Sequence, residues 1–156
     1  MPDVTPALTR RGLLALAGGT MLAGLPSRSH SAYADTASVQ DVIKKRLGDR
    51  PLQQGKIQLE LPLIAQDGNT VPLLVKVESP MTPEDYVEAV YVLAEKNPWP
   101  EVITFCFTPR SGKAEASTRI RLAMTQNVIA VAQMSDGSAY TTETFVKVLI
   151  AGCSTT

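Results

Sequence analysis

The segment from Val102 to Thr108 reads Val-Ile-Thr-Phe-Cys-Phe-Thr, and its alternation decides the class of fold. Ile103, Phe105 and Phe107 fall on one face of an extended chain, because successive side chains of a strand point to opposite faces of the sheet. Cys106 falls on the other face, between two threonines. The pattern predicts a β-strand with one face toward a core, and it assigns Cys106 a structural role in that strand.

Similar short apolar runs lie on both sides of this segment, separated by turns rich in proline, glycine and asparagine. The turn at 66–69 is predicted to be a hairpin turn, and the strands on either side of Thr125 are predicted to form a pair. Roughly seven strands at regular spacing predict an antiparallel, immunoglobulin-like β-sandwich over residues 56–150, with a β-barrel as the alternative. The further predicted strands are Lys56–Leu61, Thr70–Glu78, Tyr86–Ala94, Ala116–Ala123, Val128–Met134 and Tyr140–Ile150.

A helix is predicted ahead of the strands, from Thr36 to Gly48. Its apolar residues recur at i, i+3, i+4 and i+8, which is the spacing of one helix face. Basic residues near its end suit the helix dipole, and Gly48 offers a stop. The helix and a polar link at 49–55 make up a short region, 35–55, in front of the sandwich. The apolar residues are Val39, Val42, Ile43 and Leu47.

Residues 1–34 have the pattern of a signal peptide. Arg10 and Arg11 stand just ahead of an apolar run at 13–25 that is too short to span a bilayer. Ala32 and Ala34 form an A-x-A signal that predicts cleavage after Ala34. The paired arginines favour the Tat route, with a Sec leader as the alternative. No later segment has the length of a membrane span, so a periplasmic protein that is not embedded in a membrane is expected.

Composition excludes several classes of function. The formal net charge is zero, so no basic excess exists to bind a nucleic-acid backbone. Two cysteines are too few for a disulfide framework or a structural zinc site. The only histidine, His30, lies in the leader, so cleavage is expected to remove the usual general base and the commonest transition-metal ligand. No catalytic residue, metal or resident cofactor is therefore expected.

The carboxy-terminal segment, residues 151–156, is predicted to be a flexible arm that carries a reactive thiol. A strongly β-forming run ends at Ile150, and Ala151 and Gly152 then give the backbone room to swing. Cys153 follows, and a thiolate is the form that attacks or is loaded on sulfur. A buried Cys153, or a disulfide between Cys153 and Cys106 in an oxidising compartment, remains an alternative.

Several segments resemble the SoxY family of sulfur carriers, and the likeness covers nearly all of the expected mature chain. It includes the ending from Val146 to Cys153, in which Cys153 and Gly152 match the family arm Gly-Gly-Cys-Gly-Gly and Ala151, Ser154 and Thr155 depart from it. The other matching segments are Met81–Asp85, Ala94–Pro98, Phe107–Glu115 and Ser117–Ala123.

The resemblance implies an immunoglobulin-like sandwich that pairs with a SoxZ-like subunit in the periplasm and carries sulfur intermediates covalently on Cys153. It further implies partner enzymes that do the catalysis: a haem pair that couples thiosulfate to the thiol, a hydrolase that releases sulfate, and a sulfane dehydrogenase. The apolar run from Tyr86 to Leu93 indicates a sheet surface that such a subunit covers. The alternatives are a thiol or persulfide carrier for another periplasmic oxidation system, and a non-catalytic interaction module.

Overall fold

The computed structural model of the chain describes residues 36–152, which form one helix, nine strands and a short 3-10 turn at Pro109–Ser111. None of the helical segments in this range is long and apolar enough to cross a bilayer. The helix α1 spans Thr36–Leu47. The strands are β1 Leu52–Gln54, β2 Ile57–Glu60, β3 Ile64–Asp67, β4 Val71–Val77, β5 Val87–Ala94, β6 Glu101–Cys106, β7 Ala114–Ile120, β8 Gln126–Met134 and β9 Ala139–Ile150.

The strands form two sheets, as expected for a sandwich. The larger sheet has the order β1-β9-β8-β5-β6, and β3 also pairs with β9. The smaller sheet has the order β2-β4-β7. Most neighbours are antiparallel, as predicted, but β1 and β3 both pair with β9 in the parallel sense. The long strand β9 therefore has β1 beside its beginning and β3 beside its end.

The main core lies between the two sheets, and the alternation of each strand explains which residues reach it. Along β4 the odd-numbered residues from Val71 to Val77 are buried, while Pro72 is exposed and Leu74 and Lys76 are half-buried. From β5, Val90, Val92 and Ala94 point into the same space. Burial of aliphatic side chains of this size contributes on the order of 1.5–3 kcal/mol each.

The helix α1 covers part of the opposite, outer face of the larger sheet. Val39, Ile43 and Leu47 are buried against Leu93 and Ile129. Gly48 ends the helix in the left-handed region, with a φ of 70°, and its N–H donates to the Lys44 carbonyl at 2.8 Å. The helical prediction, its stripe and its stop are confirmed.

A bidentate ion pair fixes the last turn of α1 to the sheet edge. The Arg46 guanidinium donates to both carboxylate oxygens of Glu101 on β6, at 2.8 Å for Nη2 to Oε1 and 3.2 Å for Nε to Oε2. The same guanidinium lies over the Tyr91 ring, 5.7 Å from its centroid. Planar two-point pairing of this kind holds geometry better than a single contact between exposed charges.

Three details of the predicted strands were wrong. The polar link at 49–55 contains the short strand β1. The turn at Gly68 follows β3, which joins β9, so β2 and β4 pair across a longer connection than a hairpin. The strands on either side of Thr125 are not partners, because β7 pairs with β4 in one sheet and β8 pairs with β5 and β9 in the other.

The apolar character of the Tyr86–Leu93 run has an explanation within the chain itself. Val90 and Val92 face the main core, while Tyr91 and Leu93 face the helix α1. The prediction that a partner subunit covers this strand was therefore wrong in its location. The second apolar face of β5 belongs to the intramolecular packing of α1.

Candidate functional site

The structure describes the point from which the chain leads to Cys153. Ala151 and Gly152 are the last residues described, and Cys153 lies outside the described range together with Arg10, Arg11, Ala32 and Ala34. The predictions made for these residues from sequence stay predictions. The geometry of Gly152 and its surroundings is defined, and we call this region the arm root.

The strand β9 continues past the end of its neighbour β8, and other segments bind its backbone there. Pairing with β8 ends at Val146. Beyond it, Lys147 N–H donates to the Leu63 carbonyl at 2.9 Å, and Val148 N–H donates to the Thr125 hydroxyl at 3.0 Å. The Thr125 hydroxyl also donates to the Val148 carbonyl at 3.3 Å. Backbone polar groups that lose their partners in a sheet need other hydrogen-bond partners. Here these partners fix the position of the last residues of β9.

Three segments meet at the arm root through backbone hydrogen bonds. Gly68 N–H donates to the Ile150 carbonyl at 2.8 Å, and Leu122 N–H donates to the Gly68 carbonyl at 2.8 Å. Gly152 N–H donates to the Leu122 carbonyl at 3.0 Å. The end of β9, the turn after β3 and the crossing from β7 to β8 are thus joined to one another.

Gly68 and Gly152 lie in direct backbone contact. A Cβ on Gly152 would overlap the carbonyl group of Gly68 and lie 2.7 Å from the Asn69 nitrogen. A Cβ on Gly68 would overlap the Leu122 oxygen and lie 2.7 Å from the Gly152 nitrogen. Neither position has room for a side chain.

This contact gives Gly152 a steric role. Among the described glycines, the positive φ angles that favour glycine occur at Gly48, Gly55, Gly112 and Gly137, and Gly152 is not one of them. The flexibility that the sequence predicts for Ala151 and Gly152 stays a prediction. What the structure shows is that Gly152 is a glycine because another backbone occupies the place of its side chain.

Two buried amide side chains position the loop that carries Leu122. Asn97 Nδ2 donates to the Arg121 carbonyl at 2.9 Å, and Asn97 Oδ1 accepts from Ala123 N–H at 2.8 Å, so Asn97 holds both neighbours of Leu122. Gln126 Nε2 donates to Asn97 Oδ1 at 3.0 Å and to the Met124 carbonyl at 3.0 Å. Buried amides paired this completely fix a loop, because leaving either one unpaired costs its full desolvation.

Cys106 is exposed at the end of the edge strand β6 and is a free thiol. Its strand position was predicted correctly, and its structural role stays a prediction. The core-facing residues Ile103 and Phe105 pack against the interior. Cys106 is on the other face of this edge strand and is exposed among residues 36–152.

The register of the larger sheet separates Cys106 from the arm root. Cys106 is level with Ala89 on β5, and the row continues through Gln133 to Ala139, the first residue of β9. Gly152 follows the other end of β9, on the order of 40 Å away at the usual rise of a strand. A disulfide needs Cα atoms within about 7 Å, and Cys106 lies much farther than this from Gly152.

A cluster of exposed apolar side chains surrounds Lys147 close to the arm root. Phe145 and Leu149 flank Lys147 on the outer face of β9, and Ile64 is paired with Lys147 across the sheet. We call the following five residues the apolar patch: Leu63, Ile64, Phe145, Leu149 and Ile150. Large apolar side chains exposed near one end of a strand are a candidate interaction site.

The family model for the sulfur oxidation protein SoxY matches residues 43–153, so the match extends from α1 through the arm root to Cys153. The chain belongs to the SoxY family. The structure of the sulfur carrier protein SoxY from Chlorobium limicola f thiosulfatophilum is 32% identical and superposes with a TM-score of 0.61. That comparison covers 73% of this chain and 98% of the other.

Other solved structures share the fold without close sequence similarity to this SoxY-family chain. The E23A form of superoxide reductase (neelaredoxin) from Ignicoccus hospitalis is 12% identical, with a TM-score of 0.55 over 70% of this chain and 86% of the other. A putative superoxide reductase from Thermotoga maritima is 18% identical, with a TM-score of 0.52 over 68% and 89%. These likenesses show the sandwich alone. Among the curated proteins compared, none matches the chain.

The described part of this SoxY-family chain holds no group of three or more Asp, Glu, Cys or His side chains arranged to bind a metal ion.

The residues that the sequence patterns do not predict are those that position the arm root. The sequence pattern predicts a turn at Gly68, and this is correct. It predicts an ordinary strand position for Leu122 and an ordinary turn position for Gln126. An Asn and a Gln that border loops without an obvious charge partner were the only available signal for the buried pair.

Proposed function

We propose that this chain is the sulfur-carrier subunit of a periplasmic thiosulfate-oxidising Sox system and that it binds sulfur intermediates covalently on the Cys153 thiol. The observation that carries the proposal is the family match, which ends at Cys153. The related Chlorobium protein is described as a sulfur carrier.

The chemistry assigns catalysis to partner enzymes and attachment to this chain. When thiosulfate is coupled to the Cys153 thiol, a sulfur–sulfur bond forms, the thiol proton leaves, and an electron pair passes to the haem enzyme pair. Hydrolysis then breaks the bond to the sulfonate and releases sulfate, which leaves a persulfide on Cys153. A sulfane dehydrogenase then oxidises the outer sulfur of the persulfide to a sulfonate, with oxygen from water and with the electrons passing to its own acceptor. A second hydrolysis breaks the remaining sulfur–sulfur bond, releases sulfate and returns the thiol for another cycle.

The arm root supports this assignment because it follows the end of β9 and includes Gly152, the residue before Cys153. The chain up to Gly152 is bound through its backbone, and Cys153 is the next residue. A carrier thiol has to enter the active sites of several enzymes, so it must stand clear of its own core. Cys106 is also exposed, but it lies at the opposite end of the sheet.

The proposal includes a heterodimer with a SoxZ-like subunit, and the apolar patch is the surface we assign to it. The patch holds four large aliphatic side chains and Phe145, all more than half exposed in the isolated chain. It replaces the Tyr86–Leu93 surface suggested by the sequence, which α1 already covers.

Export by the Tat route is also part of the proposal, with Arg10 and Arg11 as the recognition pair and cleavage after Ala34. Sequencing the amino terminus of the protein from the periplasm should give Asp35 as the first residue. A protein that retains the segment before Asp35, or that is found only in the cytoplasm, would contradict this part.

The direct functional test is thiosulfate-dependent electron transfer in a reconstituted Sox system. Cys153→Ser should abolish turnover, because the hydroxyl of serine cannot form the sulfur–sulfur bond. Cys106→Ser is the matched control, and it should keep wild-type turnover. Full activity of Cys153→Ser would contradict the carrier role, and loss of activity in both variants would point to a role for Cys106. Adduct formation without thiosulfate turnover would favour a carrier for another oxidation system.

A further inference from the structure

We propose that Gly68 is a positioning residue for the carrier thiol: its contact with Gly152 fixes the point at which the chain leaves the folded body. The inference rests on the proposed function, because it concerns the reach of the Cys153 thiol. The turn after β3 therefore positions the arm root in addition to reversing the chain.

The contact between Gly68 and Gly152 leaves no space for a side chain. Gly68 and Gly152 approach so closely that a Cβ on either one would overlap backbone atoms of the facing segment. Backbone atoms cannot rotate aside as the end of a flexible side chain does. Alanine at either position must therefore push the segments apart, and the hydrogen bonds between them with it.

Gly68 also lies at the centre of the hydrogen bonds between these segments. Gly68 binds the Ile150 carbonyl through its N–H and the Leu122 N–H through its carbonyl, at 2.8 Å each. Leu122 in turn accepts from Gly152 N–H at 3.0 Å. Gly68 is thus the central link between the end of β9 and the loop that holds Gly152.

The consequence is a defined reach for the thiol. Consecutive Cα atoms are about 3.8 Å apart, so Cys153 starts one residue from a fixed backbone position while the contact is closed. If the contact opens, Ala151 and Gly152 are released as well, and the extended reach grows by about 7 Å. Gly68 therefore sets how closely the carrier body must approach an enzyme before the thiol enters its active site.

The first test is hydrogen exchange at the Gly152 amide, followed by NMR on the protein purified from exporting cells. In Gly68→Ala this amide should exchange at least about tenfold faster than in the wild type, because its hydrogen bond to Leu122 is lost. Gly112→Ala is the matched control. It adds the strain of a Cβ at positive φ, but Gly112 has open space around it and lies away from the arm root.

The second test follows the thiol itself. A nitroxide label is attached to Cys153 in a Cys106→Ser background, since Cys106 is exposed and would be labelled too. The electron spin resonance spectrum should show faster label rotation in Gly68→Ala and in Gly152→Ala, but not in Gly112→Ala. The Gly68→Ala/Gly152→Ala double variant should resemble the single variants, because one contact cannot be broken twice.

The outcomes separate this inference from the proposed function. If Gly68→Ala does not fold, Gly152→Ala provides the same comparison from the other side of the contact. Exchange at Gly152 and label rotation that match those of Gly112→Ala would overturn the positioning role and leave the carrier role intact. Absence of any sulfur adduct on Cys153, with normal Gly152 protection, would overturn the carrier role instead.

Discussion

The outer face of the larger sheet has two halves, and apolar side chains are covered in one half and exposed in the other. Over one half, α1 buries Leu93, Ile129 and Ala139 beneath its own Val39 and Leu47. Over the other half, at the end of β9, Phe145 and Leu149 are exposed. The same strand thus passes from an intramolecular core to an open surface, and the open surface is the half next to the arm root.

The two halves contribute differently to folding and to assembly. The covered half gains free energy by excluding water within the chain. In the open half, the β9 backbone forms hydrogen bonds with the Leu63 carbonyl, the Thr125 hydroxyl and the Gly68 N–H. Its side chains Phe145 and Leu149 remain exposed. Substitutions in the two halves should therefore have opposite consequences for folding and for assembly.

The largest effect is expected from a matched pair of leucine truncations. Leu47→Ala, at a residue 4% exposed, should lower the free energy of unfolding by about 2–4 kcal/mol because it leaves a cavity under α1. Leu149→Ala, at a residue 53% exposed, should lower it by less than about 0.5 kcal/mol. Urea denaturation of the isolated protein measures both. Equal losses of unfolding free energy in the two variants would contradict the difference between the two halves.

The next effect concerns assembly. Leu149→Asp places a charge in the apolar patch, and we expect it to weaken binding to a SoxZ-like subunit by at least about tenfold. Its unfolding midpoint should stay close to that of the wild type, since the position is exposed. Calorimetric titration with the purified subunit gives the affinity.

Trp99 provides a matched control for the assembly experiment, because it is 82% exposed and lies outside the apolar patch. Trp99→Ala should bind the subunit with wild-type affinity. Unchanged affinity in Leu149→Asp, or a larger loss in Trp99→Ala, would move the interface away from the end of β9.

The smallest expected effect is on the pH dependence of stability, which should involve the beginning of β9 but not its end. The turn before β9 is held by Asp136, whose carboxylate accepts from the Ser138 hydroxyl at 2.6 Å and from Ser138 N–H at 2.7 Å. These hydrogen bonds lower the pKa of Asp136 below its ordinary value. A depressed folded pKa stabilises the fold above the unfolded value, near pH 3.9, and the contribution is lost as the pH falls through the folded pKa.

Asp136→Asn should therefore differ slightly from the wild type in unfolding free energy at neutral pH, and the difference should vanish in acid. The arm root is held by backbone groups that do not titrate, so protection of the Gly152 amide should not follow the same pH profile. A loss of Gly152 protection that tracks the titration of Asp136 would show that the two ends of β9 are coupled.

Much of the fold was accessible from sequence because its signals are local. The helical stripe from Val39 to Leu47 and the alternation along Val102–Thr108 each specify an element without reference to the rest of the chain. The short strands β1 and β3 were not predicted, since three or four residues carry too little periodicity. The false pairing around Thr125 arose because a crossing between sheets and a hairpin have similar turn residues.

Only the chemistry of the candidate site could be predicted from the sequence. Cysteine identity and its place after a β-forming run indicated a carrier thiol, and the family match extends to that residue. The Gly68–Gly152 contact joins residues distant in sequence, so no local pattern reveals it. The exposure of Cys106 likewise depends on β6 being an edge strand, which is a property of the assembled sheet.

The measurement that tests the central claim most directly is the intact mass of the protein purified from cells grown with thiosulfate, before and after treatment with a reductant. We expect the added mass of one or more sulfur-containing groups, which the reductant removes. Fragmentation should assign this mass to Cys153, and Cys153→Ser should lack it. Cys106→Ser should retain it. An unmodified Cys153 in cells that are oxidising thiosulfate through this system would contradict the account.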